Sequence, residues 1–144
     1  MRGYYFFSWI RGTVATLLCL GTLCVVWALN YSAFPLYGGK EYYLYSASSG
    51  AEITREISLA DLPFLKGERA RVETTDGNAV LEETLTRYNA EILRTETGEF
   101  GVSYYCYSPK LKNGVLLDGK TVNLHIVVKT GEVLLGTPII FGGY

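Results

Sequence analysis

Reactive side chains are few in this chain: one histidine, His125, three cysteines, and twelve tyrosines, half of them in the two runs Tyr42, Tyr43, Tyr45 and Tyr104, Tyr105, Tyr107. A cysteine becomes a nucleophile when an adjacent imidazole stabilises its thiolate and a third group holds that ring. Cys106, in VSYYCYS, and His125, in VNLHIVV, are the pair to consider. Strand alternation projects them to opposite faces, and no Gly-rich nucleophile turn precedes Cys106. Cys19 and Cys24 lie inside an uncharged apolar run, so all three cysteines read as free thiols behaving as small apolar residues. Acylation of Cys19 and Cys24 is the alternative for that pair. Asp61, Asp76 and Asp118 each have a turn or capping role, and no phosphate-binding glycine loop occurs. The reading is therefore of no catalytic residue, no cofactor and no metal site; a cysteine-dependent envelope enzyme is the competing view.

The tyrosines point to binding instead. With Leu44 and Cys106 turned to a core, Tyr43, Tyr45, Tyr105 and Tyr107 fall on the opposite side, near His125 if their strands are neighbours. Such a face suits a glycan or an extended peptide, by stacking and hydrogen bonding. The plainer account is that tyrosines are good strand formers covering a half-exposed sheet or touching a membrane surface.

These residues need a sheet to hold them. Residues 41–48 read as a first strand, 53–57 as a short extended piece, and Ser58 to Asp61 as a capping-box-like start of one or two helical turns cut short by Pro63. Residues 69–75 alternate as a strand. Asp76-Gly-Asn78 is N-cap chemistry, Leu81, Leu85 and Tyr88 make one helical stripe, and Asn89 suits a left-handed C-terminus. Strands follow at 91–97 and 102–108. Asp118-Gly119 between VLL and TVNLHIVVK is a hairpin signal, because both central residues of a type I′ turn need positive φ. Thr130-Gly131 allows a two-residue turn or a three-residue loop with a bulge, one apart in register. The last strand is expected over 133–141, its glycines and Pro138 suiting a bulged or edge position where a partner strand could add. Val122, Leu124, Ile126 and Val128 should pack on the helical stripe, leaving Thr121, Asn123, His125 and Val127 on the other side. The class is α+β: a small antiparallel sheet with helix packed on one face.

Upstream, residues 13–29, TVATLLCLGTLCVVWAL, carry no charge, and the uncharged stretch continues through Gly39. Seventeen helical residues reach about 26 Å, and the continuation suffices for a hydrocarbon core of about 30 Å. Residues 1–12 are then a cytoplasmic N-terminus, 13–33 a transmembrane helix, 34–40 (FPLYGGK) a linker broken by Pro35 and two glycines, and 41–144 an extracytoplasmic domain. Arg2 and Arg11 before the run, against Lys40 and Glu41 after it, set that orientation. Tyr4, Tyr5, Phe6, Phe7 and Trp9 read as an inner aromatic belt, with Trp27 and Tyr31 near the outer boundary. A cleaved signal peptide is the alternative, though Asn30 and Tyr31 fit poorly where a cut site wants small residues.

The 144-residue chain has a formal charge of −1, and the part from Lys40 onward carries 11 basic against 14 acidic residues. That weak acidity, without a basic stripe, excludes sequence-independent nucleic-acid binding, which needs clustered Lys and Arg. At YYLYSASSG, ISLADLPFLKGE, SYYCYSPKL, VNLHIVV and GTPIIFGGY the chain resembles small membrane-anchored proteins of clostridia, some of them YwmB-like and tied by name to a TATA-box-binding-protein type of fold. The resemblance implies a bacterial envelope setting, in sporulation or wall assembly, and a curved antiparallel sheet with helix behind; it carries over no functional residue. The expectation is a single-pass cell-membrane protein presenting a binding or assembly module to an envelope protein or glycan. Ligand, pathway, oligomeric state and strand order are not written in the residues.

Overall fold

A computed structural model describes residues 2–29, 31–45 and 50–141 of the chain, with side chains described over 10–26 of the first helix. Two compact units are present, residues 1–32 and 33–144.

The first unit is the helix α1 (Arg2–Leu29). Within it Val14, Leu17, Leu18, Leu20, Leu23, Val25 and Val26 are all exposed. Its threonines do not add free polar groups to that surface. Thr13 donates to the Ile10 carbonyl, Thr16 to Gly12, and Thr22 to Leu18 and Cys19, at 2.8–3.0 Å. Among the described residues no helix is long and apolar enough to cross a membrane. The side chains of the expected aromatic belt at 4–9, and that of Trp27, lie outside the described ones.

The second unit is α+β. Its strands are β1 (Glu41–Leu44), β2 (Glu52–Thr54), β3 (Leu65–Glu73), β4 (Glu91–Gly98), β5 (Gly101–Tyr107), β6 (Val115–Leu117), β7 (Lys120–Val122), β8 (Leu124–Lys129) and β9 (Glu132–Thr137). Between β3 and β4 runs the helix α2 (Gly77–Tyr88). Seven strands form one sheet in the order β2-β1-β3-β9-β8-β5-β4, every neighbour antiparallel, while β6 and β7 make a separate ribbon.

Local chemistry accounts for the punctuation. The Asp76 carboxylate accepts from the Ala79 amide at 3.0 Å, satisfying a donor that the helix leaves unpaired. Asn89 ends α2 in the left-handed region, and the Ala90 amide returns to the Leu85 carbonyl. Asp118 and Gly119 both take positive φ between β6 and β7. Lys129 pairs with Glu132, so Thr130-Gly131 is the two-residue turn. At Ser58 to Asp61 the return bond of the expected capping box forms, the Asp61 carboxylate accepting from the Ser58 amide; the Ser58 hydroxyl donates to the same carboxylate instead of capping an amide, and both bonds hold Asp61 below the usual carboxylate range. Only a three-residue 3₁₀ turn, Leu62–Phe64, follows it.

Leu124, Ile126, Val133, Leu135, Ala70 and Cys106 pack with Leu81 and Tyr88 of α2 in the main core. Phe34 belongs to this core too. It is fully buried, packs edge-on against Tyr37 and Tyr88, and donates its amide to the Glu68 carboxylate. The Tyr88 hydroxyl donates to the Ala33 carbonyl at 2.8 Å, and Tyr37 and Thr84 share a hydroxyl contact at 3.3 Å. Residues 34–40, read as a linker, thus begin inside the folded unit. Pro35 and the glycines stop a helix, but they do not say where the chain goes next.

The final segment also differs from expectation. β9 ends at Thr137 and is a central strand, paired with β3 on one side and β8 on the other, so it offers no edge. Beyond Thr137 the chain leaves the ladder. Of the expected first strand, residues 46–48 lie outside the described residues, as do Gly142 and Gly143.

Candidate functional site

The sheet face away from α2 carries Tyr43 on β1, Gly67 on β3, Leu134 and Gly136 on β9, His125 and Val127 on β8, and Tyr105 on β5, as the cross-strand pairs require. Tyr105 and His125 stand opposite each other, their rings stacked at 4.4 Å and 12°. The Tyr105 hydroxyl donates to Glu96 at 3.0 Å. These two residues meet as expected.

Tyr43 and Tyr45 do not join them. β1 is separated from β8 by β3 and β9, and from β5 by β8 as well. Tyr45 lies past the end of β1 with φ 60°, where alternation no longer governs it, and rests against Phe64 at 4.9 Å, 56% exposed. Tyr107, at the last position of β5, is 42% exposed. Of the five candidate residues, Tyr105 and His125 are therefore brought together, while Tyr43, Tyr45 and Tyr107 lie elsewhere.

What links Tyr43 to His125 is the segment after β9. The Ile140 amide donates to His125 Nδ1 at 3.2 Å, and the Phe141 amide donates to the Tyr43 hydroxyl at 3.3 Å. Phe141 packs edge-on against Tyr43 at 5.2 Å, and Ile140 packs with Val127 and Leu134. Tyr43 and His125 are consequently buried, at 0% and 2% exposure. The face expected to be open is covered by the chain's own C-terminal end.

Electrostatics follow from that cover. Burial lowers the His125 pKa to about 4, Glu96 pulling weakly the other way, so the ring is neutral near pH 7. With Nδ1 accepting from Ile140, the remaining proton belongs on Nε2. Burial raises the Tyr43 phenol, partly offset by the Phe141 amide. Cys106 is wholly buried on the α2 side opposite Leu124, and burial pushes its thiol up to about 12. It is protonated at neutral pH and faces away from His125, an arrangement unlike an activated cysteine–imidazole pair.

Among the described residues no group of three or more His, Cys, Asp or Glu side chains is placed to hold a metal ion. A shallow cavity of about 660 Å³ lies where the β4–β5 and β8–β9 turns approach, lined by Thr97, Phe100, Val102, Val128, Lys129 and Thr130 among others. None of the five candidate residues lines it.

Sequence reasoning missed Gly67, Ile140 and Phe141, and gave Gly136 a bulged or edge position instead of this close approach. A Cβ on Gly67 would meet the Thr137 carbonyl at 1.9 Å, and one on Gly136 would meet Ile140 Cγ1 at 2.5 Å. The signal was available in GTPIIF: a strand glycine, a proline that ends pairing, then an apolar pair with nothing left to alternate against. No family model matches the chain, and no curated protein or solved structure is significantly similar to it.

Proposed function

We propose that this chain is a membrane-anchored binding or assembly module of a bacterial cell envelope, with α1 in the bilayer and the α+β unit outside the cytoplasm. One observation carries the reading: a surface of leucine and valine along α1 whose threonine hydroxyls are satisfied by the helix's own carbonyls. In water that surface is unfavourable by about 25 cal/mol for each Å² left wet; in hydrocarbon it is at home, and internally bonded hydroxyls need no water there. The side chains described cover residues 10–26, about 26 Å of helix, but α1 as a whole runs for 28 residues, about 42 Å, against a core of about 30 Å.

Arg2 and Arg11 favour a cytoplasmic N-terminus. A Cys106 thiol buried on the α2 side, facing away from His125, favours this reading over a cysteine-dependent enzyme. Protease added to intact cells tests the topology. A C-terminally tagged module is digested from outside while an N-terminal tag survives; survival of the C-terminal tag in intact cells, with loss on permeabilisation, reverses the orientation and removes the proposal.

A further inference from the structure

Residues 138–141 make no ladder, yet they lie in a seat shaped for them. Gly67 and Gly136 keep the sheet clear of side chains where the segment crosses: a Cβ on Gly67 would come within 2.9 Å of Pro138 Cδ, and one on Gly136 within 2.5 Å of Ile140 Cγ1. Val127 and Leu134 receive Ile140, and the Tyr43 ring receives Phe141. His125 Nδ1 and the Tyr43 hydroxyl accept the two successive amides. The first is an N–H···N bond of 3.2 Å, and the second, at 3.3 Å, stands beyond the ordinary N–H···O range. They end on side chains, whereas β9 is held on both sides by β3 and β8.

We propose that this seat is a peptide-binding site which the chain keeps closed with its own C-terminal segment, and that its partner is an extended protein segment bearing two adjacent bulky apolar residues. The strap is the template for the partner. Two consecutive amides must face His125 and Tyr43, and two apolar side chains must reach Val127 with Leu134 and the Tyr43 ring. Opening breaks two side-chain-held bonds and uncovers Ile140 and Phe141, while the ladders of β3, β9 and β8 stay intact, so the strap can leave without unfolding the sheet. Displacement costs the partner what the strap gains, which makes the closed state a competitor that sets the affinity threshold. The inference rests on reading the unit as a binding module, and it is independent of the membrane anchor.

Amide exchange on the full chain in detergent micelles is the first test. The Ile140 amide exchanges at least tenfold faster than those of Leu134 and Leu135; equal rates would mean that strap and sheet open only together, and would overturn the proposal. A chain ending at Thr137 then binds a synthetic peptide of residues 138–144, PIIFGGY, saturably and one to one, while the intact chain does not. His125→Leu in the shortened chain weakens that binding several-fold. A shortened chain with native near-ultraviolet circular dichroism and no affinity for the peptide contradicts the proposal. If the shortened chain does not fold, the full-length Ile140→Asp variant takes its place under the same criteria, and where neither variant folds the exchange comparison on the unaltered chain decides. Release of the chain from membranes in fractionation would sink the anchor reading and leave each of these outcomes unchanged.

Discussion

At His125 a buried imidazole stays neutral because its surroundings exclude water, and its Nδ1 accepts from the Ile140 amide. Tyr105 stacks on it from β5, and Glu96 on β4 is the charged group that favours its protonation. The folded pKa, about 4, lies below the ordinary value of 6.5, so between those pH values the unfolded chain holds a proton that the folded chain lacks. Stability therefore rises with pH through that window, and acidification from 6.5 to 4 removes about 3 kcal/mol. Thermal midpoints measured across that range should fall in the native chain and flatten in His125→Gln; parallel slopes would assign the effect elsewhere. Gly67→Ala tests the neighbouring close approach: forcing a methyl against the Thr137 carbonyl should cost about 1–3 kcal/mol, read as a lower denaturation midpoint. An unchanged midpoint would show that the end of β9 passes Gly67 at a looser distance.

Elements divide by how local their determinants are. Asp76 and Asn89 bracket α2, Asp118-Gly119 turns β6 into β7, and alternation over Leu124, Ile126 and Val128 names the core side of β8, all within a few residues of sequence. Those features were legible. Strand order was not, since β1 and β9 both flank β3 although some ninety residues separate them. The site was half legible for the same reason. Tyr105 and His125 are paired by neighbouring strands, whereas the contact of Tyr43 with Phe141 joins residues 98 apart and cannot be read from alternation. The role of Phe34 was hidden too, because a proline and two glycines beside it resemble a tether while its ring fills the core. Phe34→Ala should destabilise the unit by about 3–5 kcal/mol in denaturant titration, through lost burial and the cavity left behind. A loss below 1 kcal/mol would return residues 34–40 to the status of a linker.

The whole molecule joins two kinds of surface. One unit is a sheet closed by α2 on one face and partly by residues 138–141 on the other; the second is a helix whose leucines and valines find no cover among the described residues. The membrane-anchored reading proposed above puts that leucine and valine surface in hydrocarbon. Alkaline carbonate extraction of membranes tests this most directly, because it strips proteins held by charge or by docking and leaves those held by hydrocarbon. The full chain should stay in the pellet, and a chain lacking residues 2–29 should pass to the supernatant. Recovery of the full chain in the supernatant would contradict the account.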